Sequence, residues 1–431
     1  MKAAIGTAVS SVLSSPGLRD LRRLLASSRR RLLGAPARVH YFHQADDPYS
    51  HLLLQLLPAL LARYRIELQV HLVPAPADTA APDRARLQDW SRRDAAQLAA
   101  QAGLRFSDGG QQPPAERLAQ AQALLAAARQ QDAFLQLAPL ISAWLWQLLD
   151  ELPAGLQPLA EPQVASLLAE GAALRKRLGH YLGGTLYFES EWFWGLDRLD
   201  FLQQRLQQAG LNRTADCAPL AAIPPLAGHL RPQNGQRPQL YFYCSLRSPY
   251  TYLAAARVRR LAEQYGAELQ LRPVLPMVMR GLPVPLEKRL YIIRDSKRIA
   301  ERLGLPFGRI ADPVGAPTER GLAVLFRALQ AGKGAVFAEA FLQGVWAEGI
   351  DAGSAAGLRK IAARAGLDQA FVDAALADQG WRQQAEANRA EMLALGLWGV
   401  PSFRVDQRPA HWGQDRMWLI ERDLIEATAA R

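Results

Sequence analysis

The chain has 431 residues, of which 49% are hydrophobic and 21% charged, and this length and composition exclude a single small domain and global disorder. No apolar run reaches the roughly 20 residues that a bilayer-spanning helix needs. Lysine and arginine number 51 against 40 acids, a net charge of +11. Because most arginines are scattered among acids, we expect neither a nucleic-acid partner nor stable membrane insertion.

Residues 1–37 are predicted to form an N-terminal basic extension. Between Leu18 and Leu33, leucines alternate with six arginines: Arg19, Arg22, Arg23, Arg29, Arg30 and Arg31. Such a stretch is suited to anionic lipid or to nucleic acid. A solvated or frayed N-terminal helix is the favoured alternative, because chain termini are commonly loose. Residues 1–15 make a poor secretory signal, so we expect a cytoplasmic protein.

An internal repeat organises the rest of the chain. Residues 39–73 align with residues 240–274 at a constant shift of 201, which places Pro48-Tyr49 on Pro249-Tyr250. A second block, residues 194–198, aligns with residues 412–416 at a shift of 218. Two blocks in the same order indicate a tandem duplication whose middle parts differ in length.

Both copies have the same order of predicted elements. A strand (39–42 and 240–243) is followed by a proline, a helix and a second strand (66–73 and 268–274), which indicates a parallel βαβ unit. Several helices follow, and each copy closes with a strand (185–189 and 402–406) and a final helix. We therefore predict an α/β protein with domains at 38–212 and 238–431, joined by a proline-rich linker at 213–237.

Three motifs of the second copy carry a family resemblance: S-P-Y-x-Y-L at 248–253, G-V-P-S-F at 399–403 and W-G-x-D-R at 412–416. Residues 238–428 resemble the 2-hydroxychromene-2-carboxylate isomerases and the similar kappa-class glutathione transferases, which belong to the DsbA-like branch of the thioredoxin fold. The resemblance implies two tandem thioredoxin-like domains, each with an inserted helical domain, at about 286–395 in the second copy. It also implies glutathione as cosubstrate.

Ser248 is the predicted catalytic residue, since by resemblance it stands where the redox relatives carry their first cysteine. A helix N-terminus favours a thiolate, because it carries unpaired N–H groups and about half a positive charge. A hydroxyl there donates a hydrogen bond to sulfur and lowers the thiol pKa from its free value of about 8.5. Serine followed by proline is also an ordinary helix start, so simple capping is the alternative.

The resemblance assigns the other ends of glutathione as well. It implies a cis proline at Pro401, preceded by Val400, whose backbone N–H and C=O contact the cysteinyl part. The alternative is a trans proline that opens an edge strand. Gln414 and Asp415 are expected at the γ-glutamyl end, and the alternative for Asp415 is an acid that counters the helix dipole.

Lys288 is expected to neutralise a carboxylate of the tripeptide, and the alternative is a surface lysine. One departure from the family concerns the glycyl end of the site. The kappa-class enzymes carry an asparagine upstream of this lysine, and the corresponding position in this sequence is near Met279.

The two cysteines point away from thiol chemistry by the protein itself. Cys217 and Cys244 form no Cys-x-x-Cys motif, so a thiol–disulfide oxidoreductase is the least favoured function. Cys244 lies at the end of a predicted strand, and we expect a buried, inert thiol. The seven histidines show no ligand spacing, so we predict no metal site.

The first copy departs from the pattern at the positions that matter. Asp47 stands in place of Ser248, and Gly184 stands in place of Pro401. Aspartate caps a helix as well as serine does, but its charge repels a thiolate. We therefore predict that the first copy is degenerate and binds no glutathione.

The favoured function is a glutathione-dependent isomerase or transferase that acts on a small aromatic or conjugated electrophile. The alternative is a non-catalytic tandem scaffold that binds a partner through its arginine-rich surface or through Trp192-Phe193-Trp194, although core packing is the favoured interpretation of that aromatic cluster. The sequence leaves open whether the protein is a monomer or a homodimer.

Overall fold

A computed structural model describes residues 10–12, 14–152, 155–215, 218–228 and 237–429. The chain divides into two compact units. The first lobe comprises Asp20–Ile223 with Pro285–Tyr291, and the second lobe comprises Met1–Arg19, Pro224–Val284 and Ile292–Arg431. The division after residue 223 falls inside the predicted linker, 213–237. Cys217, residues 1–9 and linker residues 229–236 lie outside the described residues.

The two lobes differ from the predicted domains in two places. Of the predicted N-terminal extension, 1–37, the described residues up to Arg19 belong to the second lobe and those from Asp20 onward belong to the first. The second domain, 238–431, is not contiguous, because Pro285–Tyr291 belongs to the first lobe. The physical reason is burial: Tyr291 is 5% exposed and packs with Phe42, Val73 and Trp192 of the first lobe.

The elements of the first lobe follow the predicted order. The helix at the N-terminus begins in the second lobe and continues into the first. In chain order these elements are α1 (Pro16–Leu32), β1 (Arg38–His43), α2 (Pro48–Arg63), β2 (Glu67–Leu72), α3 (Arg84–Ala102), α4 (Ala115–Gln130), α5 (Phe134–Leu145), α6 (Glu161–Leu178), β3 (Thr185–Phe188), β4 (Glu191–Trp194), a 3₁₀ turn (Leu196–Arg198) and α7 (Leu199–Gln208).

The second lobe has the same order with two additional helices. Its elements are β5 (Gln239–Cys244), α8 (Pro249–Gln264), β6 (Glu268–Pro273), a 3₁₀ turn (Met277–Arg280), α9 (Leu286–Arg302), α10 (Ala316–Gln330), α11 (Gly334–Trp346), α12 (Ala355–Arg364), α13 (Gln369–Ala377), α14 (Trp381–Ala394), β7 (Ser402–Val405), β8 (His411–Trp412), a 3₁₀ turn (Gln414–Arg416) and α15 (Met417–Thr428).

Each lobe contains one four-stranded sheet, and the two sheets have the same topology. The strand order is β2-β1-β3-β4 in the first and β6-β5-β7-β8 in the second. The first two strands of each copy are parallel, and the remaining pairs are antiparallel. The register is also the same, since Arg38 pairs with Glu67 and Gln239 pairs with Glu268. The predicted α/β class with two thioredoxin-like sheets is confirmed.

The change of shift along the repeat has a structural cause. The shift is still 201 between the ends of α5 and α11, at Leu145 and Trp346. The extra helices α12 and α13 come directly afterwards, and from there to the closing strands the shift becomes 217, from Thr185 to Ser402. The helical insertion of the second lobe is therefore the longer one.

The sequence interpretation missed the fourth strand of each sheet. Residues 192–194 were expected as a packed aromatic cluster at a strand-to-helix turn, and they form β4. Trp192 and Phe193 are 5% and 1% exposed, so they pack in the interior as expected and leave little surface for a partner.

Among the residues that the structure describes, none of the helices combines the length and apolar character that a bilayer crossing requires.

Candidate functional site

Ser248 lies at the N-terminus of α8, directly after the central strand β5. Its backbone is extended, and its Oγ accepts a hydrogen bond from the N–H of Thr251 at 3.1 Å. The N–H of Ser248 donates to Ser245 O at 3.0 Å and closes the turn between strand and helix. Pro249 occupies the first helical position, where its missing N–H leaves no bond unmade. The predicted helix start is confirmed, and Ser248 remains partly exposed.

The sheet topology brings Pro401 to the same edge as Ser248. Strands β5 and β7 are antiparallel, with Tyr243 opposite Ser402, so the end of β5 meets the beginning of β7. Pro401 immediately precedes β7, and the Val400–Pro401 peptide bond is cis. The Ser402 Oγ donates to Gly399 O at 2.6 Å, which holds this turn. Val400 is partly exposed at this edge.

The third motif is joined to the second by a backbone hydrogen bond. Gly413 N–H donates to Pro401 O at 2.9 Å. The 3₁₀ turn that carries Gln414 and Asp415 begins at the next residue. Gln414 is 3% exposed, and its side-chain amide donates to the carboxylate of Asp415. The structure thus brings two of the three predicted motifs into direct contact.

Arg257 is a site residue that the sequence interpretation missed. It lies two turns into α8, and its Nη1 donates to Gln414 Oε1 at 2.9 Å. Burial lowers the pKa of Arg257, and the carboxylate of Asp415 acts against that lowering. Arg257, Gln414 and Asp415 therefore form one polar cluster that links α8 to the third motif. The alignment of the two copies holds a signal for this pair, because two apolar residues of the first copy are replaced by polar ones. At the shifts of 201 and 218, Leu56 corresponds to Arg257 and Leu196 corresponds to Gln414.

The first motif is also attached to the helical insertion through its two tyrosines. Tyr250 Oη donates to Asp295 Oδ2 at 2.8 Å, and Tyr252 Oη donates to Pro306 O at 2.7 Å. Asp295 is 1% exposed. These bonds fix the start of α8 relative to the inserted helices, so the position of Ser248 depends on both parts of the lobe.

The structure does not place Lys288 with this cluster. Its Nζ donates to Ala80 O at 2.7 Å and lies 5.6 Å from the ring centroid of Tyr181, both residues of the first lobe. Burial lowers the pKa of Lys288 to about 8. Lys288 is 6% exposed, so it is not the surface lysine of the alternative interpretation. Its role toward glutathione stays a prediction.

Cys244 behaves as an interior residue. It is 2% exposed, and burial raises the pKa of its thiol to about 12. A thiol with such a pKa is neutral at physiological pH and is a poor nucleophile. Within the described part of the chain, no group of three or more histidine, cysteine and acidic side chains is arranged to hold a metal ion.

The equivalent corner of the first lobe, where Asp47 at the start of α2 meets Gly184 before β3, is built differently. Asp47 caps α2 and accepts bonds from the N–H and the hydroxyl of Ser50, at 2.9 and 2.7 Å. Gly184 has a φ of +57°, and a Cβ at this position would lie 2.7 Å from Asp47 Oδ2. The glycine backbone therefore packs directly against the carboxylate. Asp47 and Ser248 are both partly exposed, so the two lobes differ at this position in chemistry, a carboxylate in place of a hydroxyl.

Comparisons with known proteins concern the second lobe. Residues 239–424 match the sequence model of the DSBA-like thioredoxin domain. A 2-hydroxychromene-2-carboxylate isomerase from Sphingobium xenophagum is 27% identical over 198 residues, 43% of this chain and 97% of that protein. The enzyme of the same name from Pseudomonas putida is 22% identical over 191 residues, 42% of this chain and 91% of that protein. A solved structure of a 2-hydroxychromene-2-carboxylate isomerase covers 44% of this chain and 95% of its own, with a TM-score of 0.38 and 20% identity.

Proposed function

We propose that residues 239–424, a DsbA-like thioredoxin domain, bind glutathione and use its sulfur to isomerise or conjugate a small aromatic or conjugated electrophile. The similarity to two 2-hydroxychromene-2-carboxylate isomerases supports this reaction class. When bound, glutathione supplies a thiolate that adds to a conjugated double bond and is released after rotation, or stays on the product. The protein would hold the thiolate, orient the tripeptide and exclude water.

The observation that carries the proposal is the hydrogen bonding of Ser248. Its oxygen already accepts from Thr251 N–H, so its own O–H proton remains to be donated. A hydroxyl both donates and accepts, whereas an ionised carboxylate only accepts. Ser248 can therefore donate to a thiolate from a helix N-terminus, and Asp47 of the first lobe cannot at neutral pH. The partial positive charge of the helix acts in the same direction.

The polar cluster behind Ser248 is suited to the γ-glutamyl end of the tripeptide. This end carries both an ammonium and a carboxylate. Asp415 offers a carboxylate to the ammonium, and Gln414 is held in one orientation by Arg257. Val400, next to Pro401, offers backbone groups to the cysteinyl part. We propose these roles for the four residues Val400, Pro401, Gln414 and Asp415.

An aromatic surface adjoins the same corner. The rings of Trp398 and Trp412 lie 5.1 Å apart, and both residues are partly exposed. Trp398 is two residues before Val400, and Trp412 pairs with Ser402 across the sheet. Indole rings offer stacking surfaces to flat substrates, which supports an aromatic electrophile.

The proposal is tested by titrating the full-length protein with glutathione and by following the pKa of the bound thiol through the ultraviolet absorbance of its thiolate. We expect Ser248→Ala to bind glutathione nearly as well but to raise the pKa of the bound thiol by about one unit or more. Turnover of a conjugated electrophile should fall about 100-fold, as when a stabilising donor is removed from a reaction centre.

Ser354→Ala is the matched control. Ser354 also caps a helix and accepts from Gly357 N–H at 3.0 Å, so both variants lose a cap worth about 1 kcal/mol. The control should leave the pKa of the bound thiol and the turnover unchanged. Equal effects of the two substitutions would show that Ser248 only caps its helix, and absence of glutathione binding to the wild type would contradict the proposal as a whole.

A further inference from the structure

Helix α1 is attached to the first lobe by its charged face. Arg23 forms a two-bond ion pair with Glu191, with both nitrogen–oxygen distances at 2.7 Å. Arg30 Nε donates to Glu189 Oε1 at 3.0 Å, and Ser27 Oγ donates to Glu189 Oε2 at 3.0 Å. A surface helix normally buries its apolar face, so this arrangement is inverted.

The two glutamates lie at one end of the β3–β4 hairpin: Glu189 is in its turn, and Glu191 is the first residue of β4. Glu189 and Ser190 connect β3 to β4, and both have positive φ, 43° and 73°. Two-residue turns of this kind usually contain asparagine or glycine, because other residues resist this conformation. Arg205 of α7 lies beneath the turn and donates to Glu189 Oε2 at 2.6 Å. The attachment of α1 is therefore specific and is not a frayed terminus.

The outward face of α1 is a row of leucines. At 3.6 residues per turn, these leucines lie on the side opposite Arg23, Ser27 and Arg30. Their exposed fractions are 50% for Leu21, 61% for Leu24, 61% for Leu25 and 88% for Leu32. Among the described residues of the chain, exposed large apolar side chains are otherwise mostly isolated ones, and a contiguous exposed row marks an interaction surface.

Exposed arginines border this row on both sides. Arg22 and Arg29 follow one flank of the leucines, and Arg31 lies on the other. The only acid of the helix is Asp20, which is 3.6 Å from Arg23. The outward half of α1 is therefore apolar along its centre and positive at its edges.

We propose that α1 binds the surface of an anionic lipid bilayer, with its leucines among the acyl chains and its exposed arginines at the phosphates. This pattern is that of a helix lying in a membrane interface. A second copy of the chain fits less well, because a symmetric contact would bring the same arginines together. A nucleic acid would pair with the arginines but would leave the leucines in water.

The test is cosedimentation of the full-length protein with vesicles of phosphatidylcholine alone and of phosphatidylcholine with phosphatidylglycerol, at low and high salt. We expect binding to the anionic vesicles, weakened by salt. Leu24→Ser/Leu25→Ser should weaken it about 100-fold or more, since two leucines leave the apolar phase. Arg22→Gln/Arg29→Gln should weaken it by about 30-fold.

Two controls carry matched changes elsewhere on the surface. Leu140→Ser alters a leucine that is 43% exposed, and Arg359→Gln alters an exposed arginine. Both should bind within twofold of the wild type, and circular dichroism should show that all variants are folded.

Several results would overturn the proposal. These are no binding to anionic vesicles, equal binding to neutral vesicles, or unchanged binding by the leucine variant. Competition by duplex DNA that the leucine substitutions leave unaffected would indicate a nucleic-acid surface. A wild-type mass of two chains in light scattering, with the leucine variant at one chain, would indicate that a second copy covers α1.

Discussion

The two lobes share the hydrogen bonds that support their corners. Tyr49 donates to Asp94 at 2.7 Å in the first lobe, and Tyr250 donates to Asp295 at 2.8 Å in the second. His51 Nε2 contacts Arg105 O, as Tyr252 Oη contacts Pro306 O. In both comparisons, each residue of the second-lobe bond lies 201 positions after its counterpart in the first lobe, which is the shift of the repeat. The acceptors Asp94, Arg105, Asp295 and Pro306 lie outside the aligned blocks, so these matches support the proposed duplication.

The closing hairpins are matched in the same way. Gly195 N–H donates to Gly184 O in the first lobe, and Gly413 N–H donates to Pro401 O in the second, both at 2.9 Å. The framework around the two corners is therefore the same. The differences are concentrated at the corner itself, where aspartate replaces serine and glycine replaces proline.

A second difference lies behind the corner. Leu56 and Leu196 are 7% and 4% exposed and belong to the hydrophobic core of the first lobe, whereas the second lobe has the polar pair Arg257 and Gln414. Gln414 is buried and Arg257 is partly exposed, and a polar pair that is largely removed from water is often no more stabilising than apolar residues of similar size. Its presence in only one lobe therefore suggests a role other than stability, and binding of a charged ligand is such a role.

The largest expected effect comes from giving the second lobe the aspartate that the first lobe carries at the start of its helix. Ser248→Asp keeps the helix cap but replaces a hydrogen-bond donor with a negative charge. We expect turnover with glutathione to fall about 1000-fold, which combines the lost donor with charge repulsion. The reciprocal substitution, Asp47→Ser, should change turnover by less than twofold. Turnover within tenfold of the wild type in Ser248→Asp would mean that the corner does not hold the sulfur.

The second prediction installs the apolar pair of the first lobe in the second. Arg257→Leu/Gln414→Leu should weaken glutathione binding about tenfold, because the γ-glutamyl end loses a positioned amide. The double variant should be about as stable as the wild type. Gln414→Leu alone should lower the free energy of unfolding by about 1–3 kcal/mol, since it leaves Arg257 without this partner. Calorimetric titration and urea unfolding measure the two quantities, and unchanged affinity in the double variant would assign the pair to stability alone.

The sequence predicts those parts of the fold that depend on local pattern. The strands β1, β2, β5 and β6 follow from their apolar runs, and the start of α8 follows from the Ser248-Pro249 step. The strand β8 is missed because it is only two residues long. The strand β4 is as long as the predicted β3, but its aromatic residues also suit a packed turn. The Trp-Gly ends of both strands also suggest the helix that comes next, so the hairpin is not evident from local pattern.

The parts of the site that the sequence does not reveal depend on contacts between distant residues. Arg257 and Gln414 are 157 residues apart, and neither belongs to a pattern that predicts their contact. Lys288 fits its motif, but the burial of neighbouring Tyr291 assigns the segment to the first lobe. Such contacts are set by tertiary packing, so local sequence patterns do not predict them. The comparison of the two aligned copies is the sequence information that bears on them.

The third prediction concerns Asp47, the acid at the corner of the first lobe. Burial raises the pKa of Asp47 from 3.8 to about 6. The folded state therefore binds this proton more tightly than the unfolded state, and the contribution of Asp47 to stability decreases as the pH rises from about 4 to 6. Asp47→Asn keeps a capping side chain and removes this dependence. Relative to wild type, it should gain about 1–3 kcal/mol between pH 4 and pH 7.

Other groups near Asp47 titrate in the same range, and the comparison with the variant cancels them. Burial lowers the pKa of His43 to about 3 and that of His51 to about 4, so both histidines destabilise the fold as the pH falls. Burial also raises the pKa of Asp46. Urea unfolding at several pH values gives the difference between the two proteins. A difference independent of pH would show that burial does not raise the pKa of Asp47.

The smallest expected effect concerns the bonds that the lobes share. Tyr49→Phe and Tyr250→Phe each remove one donor from a buried aspartate, Asp94 at 3% exposed and Asp295 at 1% exposed. Because the two bonds have similar lengths and each ends on a buried aspartate, each substitution should lower the free energy of unfolding by a similar amount, about 1 kcal/mol. Urea unfolding of the two variants measures both values. A loss several times larger in the second lobe would mean that this bond also supports the corner around Ser248, so that the framework as well as the corner has diverged between the copies.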